Sequence, residues 1–246
     1  MRQMRSIYVR AAAVAAAALW AVGGCVPTPY GLERQQTFYG GQHPVWAVAP
    51  AVNLSGERQV DPILQADILF QQLQSVNNLT VIPVDRVVQV YSALRITKVE
   101  SPEQAAIVCE QLGCDALVVP TITIYDPYNP PKLSASLALL TRTPMATADV
   151  PKLDARQLAR EATPTEDQAL PQHPAFVQVV GMYDAVNGSV HAAVLAYAAG
   201  RTDAGEPLGP NEYFQNMDRY CGFVYHTLVG QLLDRVSPPP PPPPPQ

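Results

Sequence analysis

Three short apolar runs, residues 45–52, 79–84 and 116–125, are separated by segments in which apolar side chains recur every three or four positions. That alternation of buried strands with amphipathic helices restricts the chain to an α/β architecture. Asp61 and Pro62 form an N-cap and a first-turn proline, and Ile63, Ala66, Leu69, Phe70, Leu73 and Val76 behind them line one helical face. Asn77 and Asn78 end that helix. After the second strand, Asp85 is expected to cap a short helix with Val87, Val90, Tyr91 and Leu94 inward. Ser101, Pro102, Glu103 and Gln104 read as a capping box opening a third helix, which Gly113 stops by taking the left-handed conformation.

Beyond residue 116 the period changes. The third strand contains Pro120, which lacks a ladder donor and is expected at a bulge or an edge. Residues 132–141 alternate Leu133, Ala135, Leu137 and Leu139 with small or polar residues, giving a fourth strand. Asn187-Gly188 is a strong short hairpin signal, so residues 176–184 and 189–198 are expected to pair antiparallel. A long helix is expected over residues 210–236. The result is a mixed sheet with a βαβ-type first half, an antiparallel meander and a long C-terminal helix, in one domain spanning residues 45–236. Residues 142–174, rich in Pro, Thr, Ala and charge, read as a loop insertion within it.

The ends carry other information. Arg2, Arg5 and Arg10 precede a nearly uncharged stretch from residue 11 to residue 22, the layout of a secretory signal peptide over residues 1–24 and too short to span a bilayer. Val22-Gly23-Gly24-Cys25 then resembles a bacterial lipobox, in which Cys25 becomes the acylated amino terminus. The lipid bilayer is thus the first expected partner, reached through Cys25. Val26 is not the aspartate that holds enteric lipoproteins in the inner membrane, so the expected address is the outer membrane, facing the periplasm. Residues 25–44, with scattered Pro and Gly, read as a flexible tether. Residues 238–245 are eight consecutive prolines, expected to form a polyproline II rod of about 25 Å that serves as a ligand for an aromatic groove or as a spacer.

Removing the signal takes three of the 16 basic residues and none of the 21 acidic ones, leaving a balance of −8 that argues against nucleic acid. Cys109, Cys114 and Cys221 remain, either as buried thiols or with Cys109 bridged to Cys114. His43, His173, His191 and His226 are scattered, with no metal-ligand spacing and no nucleophile motif around them. Ser189 reads as a turn residue. No catalytic residue, metal site or cofactor is therefore expected. The clearest binding feature is the stiff turn Tyr125, Asp126, Pro127, Tyr128, Asn129, Pro130 and Pro131, which offers two tyrosines at low entropic cost.

Two stretches carry a family resemblance. Val48-Ala49-Pro50-Ala51-Val52-Asn53-Leu54-Ser55-Gly56 and the segment from Val108 to Pro120 resemble the strand-and-turn motifs of envelope proteins with the fold of the TolB amino-terminal domain. Lipoproteins of the curli-secretion CsgG type and activators of penicillin-binding proteins share that structural group. The resemblance covers about residues 45–200, with Ala51, Cys114 and Pro120 as departures. It implies a non-catalytic module that docks an envelope protein partner or assembles with copies of itself. A subunit of a curli-exporter-like outer-membrane channel and an envelope hydrolase are the rival expectations; the channel would need barrel strands of about nine to eleven residues, a length that residues 189–198 meet.

Overall fold

The computed structural model describes residues 35–39, 43–142, 176–202 and 207–237. Strands β1 (Val45–Val48), β2 (Val52–Asn53), β3 (Thr80–Ile82), β4 (Ala116–Asp126), β5 (Lys132–Thr141) and β6 (Phe176–Asp184) form one sheet in the order β3-β1-β4-β5-β6, with β2 beside β4. β1 runs parallel to β3 and β4, and β2 runs parallel to β4. β4, β5 and β6 pair antiparallel, so the sheet is mixed and the protein belongs to the α/β class.

Helix α1 (Pro62–Gln74) begins where Asp61 accepts the N–H groups of Ile63 and Leu64, at 2.8 and 3.3 Å. Helix α2 (Val84–Leu94) starts one residue earlier than its expected cap: Pro83 is the cap residue, and Asp85 sits in the first turn, where its charge favours the helix dipole. Helix α3 (Pro102–Leu112) is capped by Ser101 and closed by Gly113 at φ +69°. Gln104 returns its side-chain oxygen to the Glu100 N–H at 2.8 Å, one residue upstream of the cap.

The first expected strand is split. Pro50 cannot donate to a ladder, and the Ala51 N–H turns aside to the Pro62 carbonyl at 3.0 Å, which separates β1 from β2. Pro120 answers this break on the central strand β4: pairing with β1 ends at Val118 and pairing with β2 begins at Thr121. The proline thus falls where no parallel neighbour needs its missing donor, and the bulge lies further on, between Ile122 and Ile124.

The expected hairpin after Asn187-Gly188 is absent. Asn187 instead caps helix α4 (Gly188–Ala199), its side-chain oxygen accepting from the Ser189 N–H at 2.9 Å and the Ser189 hydroxyl at 2.8 Å. Residues 189–198, the stretch with the length of a barrel strand, are therefore helical. Asn187→Ala is expected to cost about 1 kcal/mol, read as a lower urea midpoint with an unchanged m value. The long last helix is also divided, into a 3₁₀ turn (Gly209–Asn211), α5 (Glu212–Gln215) and α6 (Met217–Val236). Asn216 is extended there and caps α6 through the N–H groups of Asp218 and Arg219.

Both sheet faces bury apolar side chains. On one, α1, α4 and α6 cover Trp46, Val48, Val118, Leu137 and Val179; on the other, α2 and α3 cover Ala47, Leu117 and Val119. Along β6, Val180 and Met182 are 65% and 63% exposed. Gly181 on the same strand lies beneath the Tyr183 ring, and a Cβ there would meet that ring at 2.6 Å.

Part of the expected tether belongs to the folded unit. Thr37 bridges Asn77, the Phe38 N–H donates to the Asn77 carbonyl at 2.9 Å, and the Phe38 ring meets Trp46 edge-on at 5.9 Å. Gln36 donates to the His226 carbonyl at 3.0 Å. Cys25, the signal segment and the proline run lie outside the described residues, as does most of the loop insertion. The three described cysteines are free, buried thiols. Burial pushes the Cys221 thiol up to about 12, and Cys109 is held well above its ordinary value by a hydrogen bond shared with Cys114 and by burial.

Candidate functional site

The turn singled out in the sequence joins β4 to β5, and its seven residues divide between the core and the surface. Tyr125 is half-buried against the main core, with its phenol pushed up to about 12 by burial. Pro131 is buried, and its carbonyl accepts from the Ala185 N–H at 3.0 Å. Between these anchors Asp126 accepts the Tyr128 N–H at 3.1 Å, fixing the bend, and Tyr128 projects with 77% of its surface exposed. The Asn129-Pro130 peptide is cis.

An ion pair closes the base of the turn. Lys132 and Asp184 face each other across β5 and β6, with 2.6 Å between ammonium and carboxylate. The hydrogen bond to Lys132 holds the Asp184 carboxyl below the usual aspartate range, and the same bond raises Lys132. Asp184 therefore contributes stability above the ordinary aspartate value of about 3.9, and that contribution is lost as pH falls through its lower folded value. Lys132→Met should abolish this share of the acid dependence, seen as a shallower fall of thermal midpoint below about pH 4 than in the parent chain.

Asn129 and Pro130 form one wall of a cleft of about 390 Å³, with the start of α4 and residues 207–215 opposite. The cleft is within the range of roughly 300–1,000 Å³ usual for small-ligand sites. His191, exposed on α4, stacks on the buried ring of Phe214 from α5, centroids 4.4 Å apart and planes 12° from parallel. Asn129, Asn211 and Gln215 add three exposed side-chain amides, and among the described residues no carboxylate, ammonium or guanidinium group lines the space. What this arrangement offers is a flat ring with amide donors and acceptors.

The structure thus brings Asn129 and Pro130 to the cleft and Tyr128 to the solvent-exposed tip of the same turn, and it leaves Tyr125 and Pro131 as structural anchors. His191, Asn211, Phe214 and Gln215 carry no local motif. For His191 the available signal is the alanine-rich helical preference of residues 188–199, which the Asn-Gly pair masks, while Asn211, Phe214 and Gln215 lie at the start of the helix expected over residues 210–236. Among the described residues, no three His, Cys, Asp or Glu side chains group as a metal site would require, and no helix is long and apolar enough to cross a membrane.

No family model matches the chain, and no curated protein matches it. Solved structures do show likeness. The LpoB C-terminal domain from Salmonella enterica is 11% identical, with a TM-score of 0.33 over 41% of this chain and 73% of that one. Lipoprotein GNA1162 from Neisseria meningitidis is 17% identical, with a TM-score of 0.32 over 41% of this chain and 71% of that one. The hypothetical protein CT253 from Chlamydia trachomatis is 14% identical, with a TM-score of 0.37 over 78% of this chain and 98% of that one.

Proposed function

We propose that this chain is a lipid-anchored envelope protein, facing the periplasm from the outer membrane, whose domain acts without catalysis as a docking module for an envelope protein partner. The observation that carries the reading is the exposure of Tyr128 on a turn held at both ends, beside a cleft lined by side-chain amides and a flat ring. An aromatic ring displayed on a stiff backbone loses little freedom on association, and such rings dominate interface energetics. The lipobox at Cys25 supports the address, and the acidic balance turns the surface away from nucleic acid.

The test places a photo-crosslinking residue at position 128 in living cells, with the same residue at the exposed Glu110 on α3 as a control. The expected result is one discrete envelope protein captured from position 128, absent from position 110 and lost when Cys25→Ser releases the chain from the membrane. Equal capture from the two positions overturns the docking role of the turn.

A further inference from the structure

The docking reading leaves the inner wall of the cleft and the proline run unused. We propose that the cleft between the β4–β5 turn and α5 takes residues 238–245 of a second copy of this chain, joining copies head to tail. This deepens the docking reading by naming an occupant, and rests on it.

Chemistry matches the two surfaces. A proline run has no backbone N–H, so it presents only carbonyl acceptors and flat pyrrolidine rings, and it pays little entropy because the polyproline II conformation is already set. Grooves that recognise such rods pair aromatic faces with side-chain donors. Here the exposed His191 ring is backed by Phe214 at 4.4 Å, and Asn129, Asn211 and Gln215 supply the donors. One polyproline II turn of three residues is about 9 Å long, a length suited to a cleft of about 390 Å³.

Lengths decide whose prolines these are. The run leaves the fold at Ser237, whose N–H bonds the Leu233 carbonyl at 2.7 Å and whose hydroxyl accepts the Tyr39 N–H. The cleft is at the opposite end of α6, since Gln215 immediately precedes the Asn216 cap. The 20 residues of α6 span about 30 Å at 1.5 Å each. Eight prolines extend about 25 Å, so even a full reversal at Ser237 leaves them short of their own cleft. A second copy has no such constraint. The contact is heterologous: every copy keeps one cleft and one proline run to share, so association continues until a ring closes or a filament grows.

The test uses the chain with Cys25→Ser, purified free of acyl groups, in sedimentation velocity over a concentration series. Its average mass is expected to rise at least about twofold, while a chain ended at Ser237 and a His191→Ala, Asn211→Ala double variant stay at single-copy mass. Both substituted residues are exposed, so the core is left intact. A synthetic octaproline peptide is expected to return the parent to single-copy mass and to shift the His191 ring resonances. A single-copy parent at every concentration, or equal association of the chain ended at Ser237, overturns the proposal. So do His191 resonances unmoved by octaproline. Crosslinking from position 128 to a different envelope protein, alongside any of these, leaves the docking reading standing and removes only this occupant.

Discussion

Replacing Tyr225 with alanine is expected to lower the unfolding free energy by about 3–5 kcal/mol, the range for deleting a fully buried aromatic ring. The ring is 0% exposed between α1 and the sheet, and its hydroxyl donates to Gln65 Oε1 at 3.0 Å. Gln65 is itself 1% exposed, so removal of the ring leaves both a cavity and an unpaired amide oxygen. Tyr225→Phe isolates the second effect and should cost about 1–3 kcal/mol. Tyr220 sits on the same helix in the opposite situation: its ring is 0% exposed and its hydroxyl is buried with no partner among the described residues. Tyr220→Phe is therefore expected to raise stability by about 1 kcal/mol. Urea midpoints of the two phenylalanine variants decide the matter, and a loss of equal size in both would sink the distinction.

Burial also fixes the sign of the alkaline response. It raises the Tyr220 and Tyr225 phenols above their ordinary value, because the charged form is the one that burial penalises. The unfolded chain ionises these groups from about pH 10. Their contribution is complete below that value and is lost progressively as pH rises from it toward the raised folded values, so the Tyr220→Phe, Tyr225→Phe double variant should show a flatter decline above about pH 10.

Local chemistry made the first half of the fold legible and hid the second. Asp61, Pro62, Ser101 and Gly113 act within a few residues of themselves, and each takes the role its type and spacing imply. Asn187-Gly188 does not. A type I′ turn needs a following strand able to pair, whereas the residues after Gly188 include Ala192, Ala193, Ala196, Ala198 and Ala199, whose preference is helical. With that preference in force, the asparagine side chain serves as a cap. A strand over residues 189–198 would give His191 no reason to meet Phe214, whereas the helix stacks the two rings. The cleft joins residues 129–130, 191 and 207–215, so no window of sequence contains it. Only the sheet register that sets the β4–β5 turn beside Ala185 brings these segments together.

Cys25→Ser is expected to move the protein from almost wholly membrane-bound to almost wholly soluble. Each buried methylene of an acyl chain contributes about 0.8 kcal/mol, and a single chain holds only marginally while two or more hold stably. On the proposed acylation of Cys25, its replacement removes nearly all of the lipid anchoring free energy. The described fold includes Gln35, whose amide donates to the Ser75 carbonyl, and the following residues pair with Asn77. Ten Cα steps from Cys25 to Gln35 reach at most about 36 Å. On the proposed lipid anchor, a domain held that closely would meet partners within one short radius of the bilayer, which would make position as important to its action as the shape of the cleft. Fractionation of cells on a density gradient gives the test: the parent should sediment with outer-membrane vesicles and the Cys25→Ser chain should stay in the soluble fraction. Retention of the variant in the membrane would show that the uncleaved apolar segment over residues 11–22 or some surface of the domain, and not the lipid, provides the hold.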